Sequence, residues 1–307
     1  MATSLTRKGL VAVSDKVILA AQPAMELVKL FATDFSPDPA AKGDTVNMKV
    51  LKATAADFAK STQNYVTSTN TISYADVKLN KDKISVYTLD DMDDIDDELA
   101  AIWDRLGPTA GRAIGNAFVK DVCALLTYGK AEAQKTIATA AFADFVKIRS
   151  AVEDGGYDPA DCVVLLVPEV YDALIALMPA SVVGEGGVVN AGLIGSRLGF
   201  RAILNAPHIA KDSAASASKG VGFAIPTNAI AIANRDKKVL KAGGNLVESG
   251  YSVDEETGLV IGTRVVVNPA DGECSWAAEA LYGMALAKQT VGSASNGAPG
   301  YLQLVTA

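Results

Sequence analysis

The chain is poor in the residues that most often carry chemistry. It has one histidine, His208, and three cysteines, Cys123, Cys162 and Cys274, in 307 residues. A lone histidine cannot assemble a histidine-rich metal site, and no Gly-x-Ser-x-Gly elbow accompanies it to build a hydrolase triad. The cysteines are odd in number, far apart and each set in an apolar context. They are expected as buried thiols of a reducing compartment, not as a disulfide framework. No run approaches the roughly 18–20 apolar residues of a membrane helix. The first twenty residues lack the apolar core and small-residue cleavage site of a secretory signal. The expectation is a soluble protein, intracellular when made. Its formal charge of −7 has the wrong sign for broad phosphate binding, which relies on Lys and Arg to displace counterions.

What the chain does have is apolar surface. Half of its residues are hydrophobic while only 6% are aromatic. Such a composition supports a large core, as one domain or two, with small side chains at close contacts. An α+β fold of sheet-and-helix layers is expected. The most distinctive stretch is 72–128. An alternating, lysine-bearing segment over 72–89 leads into an acid burst, Asp90-Asp-Met-Asp-Asp-Ile-Asp-Asp-Glu98. A long helical pattern follows to Leu126. Neither a nucleophile nor a phosphate loop lies near this stretch. The acids do not fit a calcium loop, because counting from Asp91 puts Ile95 at the fifth position and Asp96 where glycine is needed. They read as a solvated helix start that complements the N-terminal dipole.

The remaining pattern is uneven. Residues 1–42 read as an arm, with a broken helical pattern interrupted at Pro23 and stopped by Pro37 and Pro39. Residues 43–51 alternate as a strand, 52–70 form a polar loop or hairpin tip, and Asn80-Lys81-Asp82 is a turn candidate, so 43–89 reads as a long hairpin. Gly107-Pro108 is expected to split the long helix, with Gly129 capping its second segment. A helix over about 140–153 places Phe142, Phe145, Val146, Ile148 and Val152 inward, and Gly155-Gly156 ends it. Cys162-Val-Val-Leu-Leu-Val167 reads as a buried strand, followed by a short helix from Pro168. Residues 179–192 form a Gly/Val-rich loop without the spacing of a phosphate loop, and 213–219 a polar loop tip. Residues 198–204 and 221–232 are strand-like. The strongest strand signal is 258–267, followed by a turn at 268–272 and a second strand to about Lys288. The Gly/Ser/Asn-rich tail from Gly292 is expected to be mobile.

This order of elements resembles the tailed-bacteriophage major capsid proteins with the Hong Kong 97-type fold. The likeness spans roughly residues 10–288. It is carried by Val152-Glu-Asp-Gly-Gly-Tyr-Asp-Pro-Ala-Asp-Cys-Val-Val-Leu-Leu-Val-Pro-Glu-Val-Tyr-Asp-Ala-Leu174, by Gly199-Phe-Arg-Ala-Ile-Leu-Asn205 and by Gly258-Leu-Val-Ile-Gly-Thr-Arg264. The resemblance implies an N-terminal arm at 1–42 and an extended loop at 43–89. A peripheral domain with a long spine helix would occupy 90–157 and 251–291, an axial domain 158–250, and a C-terminal tail 292–307. It implies a non-enzymatic coat protein that forms pentamers and hexamers of an icosahedral shell around a double-stranded DNA genome. That shell would form in the host bacterial cytoplasm with a separate scaffolding protein and a portal. An encapsulin-like cargo compartment is the alternative on the same fold, and a soluble α/β enzyme centred on 160–232 a more distant one. Some relatives crosslink through a Lys–Asn pair assisted by an acid, but no such trio falls on matching positions here. No catalytic, cofactor or metal residue is expected. The candidate subunit-contact residues are Tyr74, Lys78, Lys81, Asp82 and Lys83, whose lysines serve either as a solvated edge or as partners for a neighbour's acids.

Overall fold

The computed structural model describes residues 7–25, 27, 30–50, 73–89, 96–127, 133–137, 141–154, 157–177, 198–209, 220–237, 246–254, 258–267, 274–286 and 302–306. In chain order these form α1 (Arg7–Met25), β1 (Ala32–Ala40), β2 (Thr45–Val50), β3 (Ser73–Lys78), β4 (Lys81–Leu89) and α2 (Asp96–Leu125). Then come β5 (Ala133–Ile137), α3 (Phe142–Asp154), β6 (Cys162–Leu166), α4 (Pro168–Ala176), β7 (Ala202–Asn205) and β8 (Gly220–Pro226). The rest are β9 (Ile230–Lys237), β10 (Leu246–Val253), β11 (Val260–Val267), β12 (Cys274–Leu286) and β13 (Leu302–Thr306). The chain divides into two compact units. One is Met1–Met48, Asp76–Val122 and Ala231–Ala285, and the other is Lys49–Ala75, Cys123–Ile230 and Leu286–Ala307.

The first unit is built on a six-stranded sheet of order β1-β9-β12-β11-β10, with β4 added along β12. β1 is an edge strand that pairs parallel with β9, and its ladder breaks between Ser36 and Ala40. Pro37 and Pro39 lie in that gap and have no N–H to donate, which confines such a strand to an edge. Helix α2 covers the sheet with the stripe Ala110, Ile114, Phe118 and Val122, all buried. Phe118 packs on Tyr282 of β12 with ring centroids 3.8 Å apart. Asn234 of β9, fully buried, ties three strands together. Its amide donates to the Leu281 carbonyl at 3.0 Å and accepts from the Val260 N–H at 2.7 Å.

Two helix expectations are corrected in this unit. Gly107-Pro108 does not divide α2, which runs 30 residues with Pro108 inside it. Proline removes one backbone bond, but packing of the apolar stripe on the sheet outweighs that loss. Pro23 likewise lies inside α1, within its last turn. The two helices meet at glycines. A Cβ on Gly111 would collide with the Val17 carbonyl and come within 2.9 Å of the Ala20 Cβ, and one on Gly115 would lie 2.8 Å from the Ala24 Cβ. Val17, Ile18 and Ala21 are buried in consequence.

The second unit holds the five-stranded sheet β5-β13-β8-β6-β7. The motif around residue 160 folds as its sequence implies. The Asp158 carboxylate accepts the Ala160 N–H at 2.9 Å and caps a short 3-10 turn, Pro159–Asp161. β6 follows with all five residues buried, and Pro168 opens α4 at a position where its missing N–H costs nothing. The tail expectation is corrected for 302–306. β13 is an inner strand, parallel to β5 and antiparallel to β8, with Leu304 and Val305 buried. Residues 221–232 are not one strand. Pro226 ends β8, a 3-10 turn spans Thr227–Ala229, and β9 joins the other sheet. At 198–204 only Ala202 onward is strand, since Gly199 turns the chain with φ +79°. On α3, Phe145, Ile148 and Val152 face inward, whereas Phe142 and Val146 are 41% and 60% exposed.

β5 and β10 lacked a legible sequence pattern. Within the hairpin expected over 43–89, β2 and β3 pair as a separate two-stranded sheet. The turn candidate Asn80-Lys81-Asp82 is corrected, because β4 pairs with β12 and Asn80 joins two sheets. The loop at 52–70, Met92 and Ile95 of the acid burst, Gly129, Gly155-Gly156, the loops at 179–192 and 213–219 and the turn at 268–272 lie outside the described residues.

Candidate functional site

Two residues after β3 the chain enters β4 as Lys81-Asp82-Lys83-Ile84. Side chains alternate across a strand, so Lys81 and Lys83 reach one face and Asp82 the other. On the α2 face the two lysines converge on Asp121, Lys83 at 3.2 Å and Lys81 at 3.7 Å. The Tyr282 hydroxyl donates to the same carboxylate at 2.9 Å. Burial first, and then the neighbouring Asp121 charge, pushes the Tyr282 hydroxyl far up, so it stays protonated and remains a donor.

On the opposite face Lys237 donates to Asp82 at 2.8 Å and to Glu279 at 3.0 Å. Glu279 is 3% exposed and also receives the Arg264 guanidinium, which donates in turn to the Lys237 carbonyl. Burial alone would lower the Lys237 ammonium, but its bonds to Asp82 and Glu279 outweigh burial and raise it. Burial and Glu279 raise the nearby Asp236 carboxyl, against the Lys237 N–H and Arg264, which pull it down. Exposed ion pairs contribute little, about 0–1 kcal/mol. Breaking a buried one by removing a single partner costs about 3–5 kcal/mol, so Glu279 is the costly member of this cluster.

Of the candidate contact residues, Lys81, Asp82 and Lys83 engage groups of their own chain. Lys78 is exposed, and Tyr74 lies in β3 with its side chain outside the described residues. Sequence reasoning missed Asp121, Lys237, Arg264 and Glu279. A signal for two of them existed. Asp121 is a lone acid between Phe118 and Val122 on the buried stripe of α2, and Glu279 is a lone acid in the apolar run Ala277-Ala-Glu-Ala-Leu281. Unpaired acids are almost never placed in such positions.

The link between β3 and β4 is tightly held. Leu79 is fully buried, its N–H donates to the Asp44 carbonyl at 2.8 Å, and its carbonyl accepts the Gly43 N–H at 2.7 Å. Gly43 takes φ +104°, a conformation suited to glycine. Gly283 lies so close under the Lys78 carbonyl that a Cβ there would displace it. Past this link, β4 exposes Ile84 and Val86. Cross-strand register places Ile84 beside Glu279, Gly262 and Tyr251 on one face of the sheet.

No protein-family model matches the chain, and no curated protein matches it in sequence. Solved structures do. A chain of the capsid of Ralstonia phage GP4 is 11% identical and aligns over 90% of this chain and 87% of its own, with a TM-score of 0.50. A virus-like particle from Pyrococcus furiosus is 8% identical, with 95% and 97% covered and a TM-score of 0.49. A structure from Mycobacterium phage Cain is 16% identical, with 91% and 89% covered and a TM-score of 0.47. At such identities the likeness to the phage GP4 capsid speaks to the fold: this chain has a phage-capsid fold.

Proposed function

We propose that this chain is a major capsid protein that self-assembles into an icosahedral shell enclosing a double-stranded DNA phage genome. The observation that carries the reading is the fold likeness to the phage GP4 capsid over nine-tenths of the chain. In this reading 1–42 is the arm, 43–89 the extended loop, α2 the spine helix of a peripheral domain at 90–157 and 251–291, and 158–250 the axial domain. The compact units cut the chain differently, because α3 packs with the second unit and β9 with the first.

The mechanism is assembly. A closed shell repeats heterologous contacts, in which one surface of each subunit fits a different surface of the next. The loop and arm extend the reach of each subunit, so many weak contacts cooperate on closure. Half-exposed apolar residues such as Ile84, Val86, Phe142 and Val146 supply apolar area for those contacts. The net charge of −7 suits a container that repels DNA phosphates and does not grip them.

Negative-stain electron microscopy with light-scattering mass tests this directly. Closed shells, tubes or rings of five or six subunits are expected. Shells that carry protein cargo and no nucleic acid would favour the compartment alternative. A monomer or dimer unchanged at high concentration, with and without scaffolding partner, would refute the capsid reading.

A further inference from the structure

β4 divides its apolar residues between its two faces. Two of its aliphatic residues, Ile84 and Val86, lie on the outer face at 50% and 55% exposure. The face toward α2 carries Lys81, Lys83 and Ser85, with Tyr87 stacked on Trp276 as its aromatic contact. Hydrophobic alternation normally specifies register, since a one-residue slip exchanges the two faces. Here a slip would turn Ile84 and Val86 inward but Tyr87 away from Trp276, so apolar patterning alone does not fix the register.

Charge opposes that slip on both faces at once. In the observed register Lys81 and Lys83 meet Asp121, and Asp82 meets Lys237. After a slip Asp82 would face Asp121, while the two lysines would face Lys237 and Arg264. Opposite charges would become like charges on both sides, which is destabilising.

We propose that Asp121, with Lys237 on the opposite face, is the positioning residue that sets the register of β4 and hence the direction in which the extended loop leaves the subunit, so that shell closure depends on it. The part concerning closure rests on the capsid reading above. The part concerning register stands on the geometry. Only two residues, Leu79 and Asn80, separate β3 from β4. Leu79 is clamped by Gly43 and Asp44, leaving no slack to absorb a slip. A shift in β4 would therefore be transmitted into the loop.

The test compares wild type with Asp121→Asn and with the charge-reversed triple Lys81→Asp/Lys83→Asp/Asp121→Lys. Hydrogen exchange of unassembled subunits and electron microscopy of assembled ones are the readouts. In Asp121→Asn we expect amide exchange over residues 79–84 to accelerate about tenfold while the cores of α3 and β6 are unchanged. Closed shells should give way to open or irregular particles. The triple variant pairs opposite charges in either register, so it should regain neither protection over residues 79–84 nor closure. Rescue by the triple is what a merely stabilising role for Asp121 would produce. If Asp121→Asn does not fold, Tyr282→Phe and Lys81→Gln/Lys83→Gln weaken the same cluster and are read in the same way. Unchanged exchange, or normal shells from Asp121→Asn, or full rescue by the triple, would overturn the proposal. If wild type forms no shells, the capsid reading fails by itself, and the exchange comparison still decides the register.

Discussion

Replacing Gly111 by alanine sets two effects against each other, and the structure says which wins. Gly111 lies in the middle of α2, where alanine is favoured over glycine by about 1 kcal/mol. On helix propensity alone the substitution stabilises. But a Cβ at this position collides with the Val17 carbonyl of α1 and approaches the Ala20 Cβ, and neither belongs to a flexible side chain. Forcing a methyl group into such a contact costs about 1–3 kcal/mol. The net expectation is destabilisation of roughly 0–2 kcal/mol.

Adding Gly115→Ala, where the Ala24 Cβ would lie 2.8 Å away, should lift α1 off α2. Losing the burial of Val17 and Ile18 costs at most about 1.5–3 kcal/mol each. That exceeds the roughly 2 kcal/mol gained by two better helix formers. Urea denaturation of the unassembled subunit, followed through buried Trp276, measures the change. Limited proteolysis should show α1 cut faster in the double variant. A double variant about 1–2 kcal/mol more stable than wild type, with α1 equally protected, would mean that the two helices do not meet at these glycines.

Two further outcomes follow from the second unit. Ending the chain at Gly300 removes β13, strips β5 of its neighbour in the sheet and discards buried Leu304 and Val305. A loss of at least about 3 kcal/mol is expected, seen as a lower urea midpoint, whereas an unchanged midpoint would show that the tail contributes nothing. Burial pushes the Cys123 thiol up to about 11, and burial followed by Asp161 and Asp158 pushes Cys162 up to about 12. The fold thus favours the neutral thiols, and stability is unaffected by them below the ordinary thiol range. Above about pH 8.5 the unfolded chain ionises first, so stability falls by about 1.4 kcal/mol per pH unit per thiol until the folded thiols titrate. The urea midpoint should drop between pH 9 and 11, less steeply in Cys123→Ala/Cys162→Ala. Equal slopes would refute burial of the thiols.

Local signals made much of this chain legible. The turn, buried strand and Pro168 helix around residue 160 are encoded by contiguous residues, so the capping Asp158, the apolar run and the N-terminal proline could be read in order. The stripe on α2 was equally plain, because Ile114, Phe118 and Val122 repeat at the helical period. What could not be read was the continuity of α2 through Pro108, or the break between β8 and β9 inside an apolar run. The first depends on packing against the sheet, and the second on β8 and β9 joining different sheets. The strand at 302–306 is five residues long and its partners, β5 and β8, lie about 80–170 residues away in sequence, so no local window contains its cause.

The candidate site divides along the same line. By itself the sequence determined an acidic, histidine-poor chain with an alternating Lys-Asp-Lys segment before a long helix, because composition and period are properties of neighbouring residues. Only the tertiary structure decided that those lysines meet Asp121, that Asp82 meets Lys237, and that Ile84 and Val86 face outward. Those contacts join residues 38 to 155 positions apart, so no stretch of neighbouring residues contains them.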